Sequence, residues 1–127
     1  MKLLVVDDSS TTRKIIKAAI GALDMESEEA QDGEEALLKL SELREEIGLI
    51  LLDWNMPVMS GYDVLVEVKS NDRYKKIPVM MVTTEGQKKN IVAAVRAGAD
   101  NYLTKPFTIY ELQTKIMECL GKEGGFE

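Results

Sequence analysis

The sequence predicts an α/β domain in which a five-stranded parallel sheet carries helices on both faces. Strand and helix signals alternate along the 127-residue chain, five of each. The clearest runs are apolar on both sides rather than alternating, as in strands buried between two helical layers. No internal repeat, linker or low-complexity segment interrupts the pattern, so one domain over residues 1–121 and a flexible tail over residues 122–127 are expected.

Residues 3–6 form the first run, closed by Asp7 and Asp8. A helix follows with Ile16, Ala19, Ile20 and Leu23 on one face. Residues 26–30 are a weak strand, placed mainly by their surroundings. Asp32 is an N-cap with Glu35 three residues on, and opens a helix carrying Ala36, Leu40, Leu43 and Ile47. Residues 49–52 run straight into Asp53. Ser60 and Asp63 frame the next cap, with Val64, Leu65 and Val68 as the stripe behind it. Residues 77–82 are a fourth strand, its Pro78 at an entry position where a missing N–H is tolerated. Gly86 and Gly98 bracket a helix with Ile91, Val92 and Val95 inside, and residues 101–103 are a short fifth strand. Thr108 and Glu111 form a capping box before a last helix with Ile109, Leu112, Ile116 and Leu120 on one side.

Composition narrows the function. A formal net charge of −6 argues against nucleic acid, whose phosphates need a basic footprint. The longest purely apolar run in the first thirty residues is residues 3–6, too short for a signal peptide or a membrane span. The single Cys119 cannot form an internal disulfide, so a cytoplasmic location is expected. The absence of histidine excludes a Ser-His-Asp triad and most zinc sites.

In open parallel sheets, ligands bind beyond the carboxyl ends of the strands, where strand order reverses. Those ends carry Asp7 and Asp8, Asp53, Thr83 and Thr84, and Thr104, Lys105 and Pro106. With the first and third strands adjacent, three acids converge and need a positive partner: a hard divalent cation, Mg²⁺, the Lys105 ammonium, or both. No glycine-rich nucleotide loop is present. An acid beside a cation and a lysine suits phosphoryl transfer, with Asp53 as the nucleophile and Thr83 supplying a hydroxyl.

Four stretches, LLVVDDSSTTR, LILLDWNMPVMSGYDVL, IPVMMVTTEGQ and AGADNYLTKPF, resemble the receiver domains of two-component response regulators, and more narrowly the single-domain chemotaxis regulators of the CheY type. The resemblance implies a flavodoxin-like (βα)5 three-layer sandwich with strand order 2-1-3-4-5. It makes Asp53 the phosphoacceptor and Asp8 a direct Mg²⁺ ligand, with Asp7 acting through water and the Asn55 carbonyl as the third protein ligand. Thr83 is the switch hydroxyl, Lys105 pairs with the phosphoryl group, the Lys105–Pro106 peptide is cis, and Tyr102 turns inward when Thr83 moves. Asn55 and Glu85 tune loss of the phosphoryl group. Lys88, Tyr102 and Lys115 match partner contacts on the face of the fourth helix, fifth strand and fifth helix. Thr84, grouped with Thr83 and Lys105 around the phosphoryl group, is bulkier than the residue usual beside the switch threonine, and Asp24 and Met25 stand where a glycine and an aromatic are common.

The resemblance implies a histidine kinase as phosphodonor, a downstream protein such as a flagellar motor switch protein as target, and a monomer that is no enzyme beyond its own phosphorylation and slow autodephosphorylation. A phosphorelay shuttle and an isolated receiver of a longer regulator are the alternatives within signalling. An aspartate-nucleophile phosphatase shares the site logic, but Asn55 stands where its second acid would be. Trp54 is expected to point away from the buried side, Met56, Pro57 and Met59 to pack above the site, and Met80 and Met81 to lie in the core.

Overall fold

Residues 1–121 are described by the computed structural model, and the tail expected over residues 122–127 lies outside them. The strand signals become five strands, β1 (Lys2–Val6), β2 (Glu26–Ala30), β3 (Ile47–Leu52), β4 (Val79–Thr83) and β5 (Asn101–Thr104). All pair in parallel, in the order β2-β1-β3-β4-β5. The helices are α1 (Ser10–Gly21), α2 (Gly33–Leu43), α3 (Gly61–Ser70), α4 (Lys88–Arg96) and α5 (Ile109–Cys119). The expected flavodoxin-like sandwich is therefore the one observed.

Successive residues of a strand face opposite sides, and the doubly apolar runs fill two cores at once. Leu4, Val6, Ile50, Leu52, Val79 and Met81 face α2, α3 and α4, where Leu40, Leu65, Val68 and Ala94 meet them. Leu3, Val5, Leu49, Leu51, Met80 and Val82 face α1 and α5, against Ile16, Ile20, Leu112 and Ile116. Each fully buried aliphatic side chain contributes about 1.5–3 kcal/mol of transfer free energy. Polar side chains settle the helix starts: Ser9, Asp32, Ser60 and Thr108 each accept a backbone N–H three residues on, and Thr108 with Glu111 completes the capping box.

The structure corrects several boundaries. Ile47 belongs to β3, not to the stripe of α2, because Lys2 pairs with Ile47 and Leu3 with Leu49, so Gly48 is left over as a bulge. Pro78 stands just before β4, where its carbonyl accepts from the Ile50 N–H at 3.0 Å. On α4 the buried residue is Ala94, while Val92 and Val95 are 38% and 56% exposed. Ile109 is likewise exposed at the start of α5. Trp54 does not stand free: it is half-buried and stacks on Tyr62 with ring centroids 5.3 Å apart.

The edge strand β2 is weak in composition because its glutamates are used as ion-pair partners. Glu28 meets Lys2 and Lys39, and Glu29 meets Arg13 and Lys17. Charge on both sides of an edge strand also discourages pairing with another chain. Asp24 has φ +59°, in the left-handed region that glycine favours and aspartate tolerates.

Val58 also has a positive φ, +69°, in a γ-turn closed by the Met59 N–H on the Pro57 carbonyl at 2.7 Å. A β-branched residue is strained there, and at 96% exposure its methyl groups recover nothing by burial. Val58→Asn is expected to raise stability by about 1 kcal/mol, read as a higher urea midpoint with an unchanged slope.

Candidate functional site

The site grows from the two central strands. Beyond β1, the Asp7 N–H bonds to the Ala30 carbonyl at 3.1 Å; beyond β3, the Asp53 N–H bonds to the Val6 carbonyl at 3.0 Å. The ladder thus continues one residue past each apolar run and sets Asp7 and Asp53 next to each other. Both are buried, at 1% and 6% exposure, while Asp8 is exposed. One carboxylate oxygen from each of the three lies within 4.8 Å of the others.

Lys105 supplies the opposing charge. The Lys105 N–H is held by the Thr83 carbonyl at 2.9 Å, and the Lys105–Pro106 peptide is cis, as the resemblance implied. Its Nζ donates to Asp7 Oδ2 at 2.8 Å and lies 3.8 Å from Asp53 Oδ2. Asp7 Oδ1 accepts from the Ser9 N–H at 2.9 Å, so both oxygens of that carboxylate are engaged.

Burial raises the Asp53 carboxyl above the usual aspartate range; the neighbouring Thr83 hydroxyl opposes this, repulsion from Asp7 adds to it, and Lys105 again opposes. Thr83 is fully buried, and its Oγ1 accepts from the Glu85 N–H at 3.2 Å. Asn55 is exposed beside the acceptor: its N–H reaches Asp53 Oδ1 and its amide Nδ2 reaches Thr84 Oγ1, both at 3.4 Å. Gly61 makes room for this turn. Its N–H bonds to the Trp54 carbonyl at 2.8 Å, and a Cβ there would overlap the Asp53 carbonyl oxygen.

Other expected residues lie apart from the three acids. The Glu85 carboxylate turns to the start of α4, accepting from the Gln87 N–H at 3.1 Å, and its ionised form is favoured first by Asn90. The half-buried Tyr102 donates its hydroxyl to the Glu85 carbonyl, and burial pushes that phenol up to about 12. Lys88 is exposed at the first position of α4, and Lys115 is half-buried within α5. Met56 and Met59 pack against the core, and Met80 and Met81 lie fully inside it. Burial pushes the Cys119 thiol up to about 11, which keeps it protonated at neutral pH. Among the described residues no helix is long and apolar enough to cross a membrane.

Two contributors escaped the sequence. Ser9 caps α1 by accepting the Thr12 N–H, and its own N–H holds Asp7. Arg13, on α1, donates from Nη1 to the Asp7 carbonyl at 2.6 Å and from Nε to Glu29 Oε1 at 2.7 Å. Nothing in its spacing separates it from an ordinary surface arginine.

The donor set is made of hard carboxylate oxygens, two of them buried, which suits a divalent cation of the Mg²⁺ class. The model of the response regulator receiver domain family matches residues 3–117. The chain is 47% identical over 122 residues to the chemotaxis protein CheY1 of Helicobacter pylori, covering 95% of this chain and 98% of that protein. It is 43% identical to a chemotaxis protein CheY homolog of Campylobacter jejuni, covering 98% and 96%. The solved chemotaxis response regulator CheY4 of Vibrio cholerae superposes with a TM-score of 0.86 at 34% identity, covering 93% of this chain and 97% of that one.

The raised Asp53 carboxyl has a thermodynamic consequence. A carboxyl titrating higher in the fold than in the unfolded chain withdraws stability as pH rises from about 3.8 through its folded value. In metal-free buffer, Asp53→Asn should therefore melt above the wild type at pH 7. The difference should close as pH falls below about 3.8, as followed by calorimetry across pH.

Proposed function

The chain belongs to the response regulator receiver domain family, close to its chemotaxis members, and from that premise we propose that Asp53 is the phosphoacceptor of a signalling switch. The single observation that supports this most is Asp53 itself: a buried carboxylate with a raised proton affinity, at the end of a central strand and 3.8 Å from Lys105 Nζ. In the proposed step an Asp53 carboxylate oxygen forms the new bond to phosphorus as the donor's nitrogen–phosphorus bond breaks. The chain has no histidine, so a phosphohistidine donor belongs to a partner kinase, and a small acyl phosphate can stand in for it.

Asp8 and Asp53, the Asn55 backbone carbonyl and, through water, Asp7 would hold Mg²⁺, which when bound neutralises charge on the phosphoryl oxygens. Lys105, already shared between Asp7 and Asp53, would pair with one of those oxygens. Thr83 would donate its hydroxyl to another, and Thr84 has its side chain against Asn55.

A route outward runs through one residue. The Glu85 N–H donates to the Thr83 hydroxyl, its carbonyl accepts from Tyr102, and its carboxylate accepts from Gln87 at the start of α4. A Thr83 hydroxyl that swings to a phosphoryl oxygen gives up the Glu85 N–H, and the Tyr102 contact and the start of α4 are then free to move together. The proposed output surface is the α4-β5-α5 face with Lys88, Tyr102 and Lys115, read by a chemotaxis target such as a motor switch protein. The protein then acts as a cytoplasmic monomer whose only turnover is its own phosphorylation and hydrolysis, the latter tuned by Asn55 and Glu85. A phosphatase acting on outside substrates is disfavoured by Asn55, which offers no acid for the leaving group.

The test is intact mass after beryllofluoride or a rapidly quenched acyl phosphate, with and without Mg²⁺. A Mg²⁺-dependent adduct on the wild type, lost in Asp53→Asn, is the expected result; no adduct on the wild type would overturn the reading. Thr84→Ala removes the Asn55 contact beside the acceptor and should speed phosphorylation by the small donor. Each kcal/mol of barrier removed is about fivefold in rate, measured by stopped-flow fluorescence of Trp54.

A further inference from the structure

We infer that Arg13 is a positioning residue of the acidic site: its guanidinium holds the Asp7–Asp8 peptide in the orientation that aims the Asp8 carboxylate at a divalent cation. This rests on the cation reading above. Three of the four polar handles of Asp7 are occupied without Arg13: its N–H by Ala30, Oδ1 by Ser9 and Oδ2 by Lys105. The fourth, the carbonyl oxygen, accepts from Arg13 Nη1 at 2.6 Å. A peptide is planar, so fixing that oxygen fixes the direction in which Asp8 leaves the strand. Asp8 is the exposed member of the acid trio, so its aim is set by its backbone more than by packing.

Arginine suits the task because its planar fork directs several N–H groups at once. Here Nε is anchored on Glu29 of β2 at 2.7 Å while Nη1 reaches the site, and the side chain is only 14% exposed. The grip thus ties the α1 helix, the sheet edge and the loop after β1 to one another. Lys17 also pairs with Glu29 but has no bond to the site loop among the described residues.

Charge and position make opposite predictions. A fixed cation near the site repels an incoming dication, so if Arg13 mattered only as a charge, removing it would tighten Mg²⁺ binding. If it positions Asp8, removing it weakens binding despite the gain in attraction. Groups that orient metal ligands are typically worth 10- to 100-fold in affinity.

The experiment is calorimetric titration of Mg²⁺ into the full chain and its Arg13→Gln, Arg13→Lys and Glu29→Gln variants, with thermal unfolding in chelator recorded alongside. Expected are about tenfold or greater losses for Arg13→Gln and a loss also for Arg13→Lys, which keeps the charge but cannot span both acceptors. Glu29→Gln keeps an oxygen for Nε and should bind nearly as the wild type does. Equal or tighter binding by folded Arg13→Gln overturns the inference, and so does a lowered melting temperature with unchanged affinity. Should Arg13→Gln fail to fold, Arg13→Lys decides on the same criterion. A wild type that takes up no Mg²⁺ overturns the cation reading, and this inference with it; a wild type that binds while both Arg13 variants match it overturns this inference alone.

Discussion

Three carboxylates within 4.8 Å of one another repel unless positive charge is brought among them, and much of this molecule is arranged around that requirement. Lys105 meets part of it by bridging Asp7 and Asp53. It arrives from the far end of the chain because β4 and β5 pair in register and the Lys105 N–H continues the ladder on Thr83. Asp7 has both oxygens occupied, one by Lys105 and one by a backbone donor. Asp53 has a weaker set of partners and is the acid whose proton affinity burial raises. The same cluster thus contains one satisfied acid and one under-satisfied acid, and the second is the reactive candidate.

Around the acids the fold is tight where position matters and loose where access matters. Gly61 lets the start of α3 press against the Asp53 carbonyl, where any side chain would collide. Trp54 and Tyr62 stack beside that turn, and Met56 and Met59 fill the space beneath the loop. Asp8, Asn55 and Thr84, by contrast, are exposed. Glu85 joins the buried Thr83 to Tyr102 and to the start of α4, so a change at the acids has a short path to a surface. That surface includes Val92 and Val95, apolar residues the helix leaves partly in water.

Most of the architecture was legible because hydrophobic pattern and capping chemistry agree along the chain. The apolar runs at residues 49–52 and 77–82 read as buried strands, and the Thr108–Glu111 box marks its helix start within one residue. Legibility failed where one rule masked another. Gly48, as a bulge, broke the strand signal and let Ile47 pass for a helical residue. On α4 the helical apolar period of Ile91, Val92 and Val95 suggests a core face, but the helix buries the small Ala94 instead. Trp54, next after Asp53, is expected to point away from the buried side, but it packs against the core and stacks on Tyr62.

The sequence by itself determined the alternation of strands and helices, the two-sided burial of the central strands and the polar residues at each strand end. These follow from local period and local chemistry, and reading them needs no partner from elsewhere in the chain. Only the tertiary structure decided which of those strand ends meet, how Lys105 divides its charge between two acids, and that Glu85 turns to α4 rather than to the acids. Only it gave Arg13 a place at the site, through a carbonyl that every residue possesses and no side-chain pattern advertises. Those are relations between residues far apart in sequence or between side chain and backbone, and register and packing alone settle them.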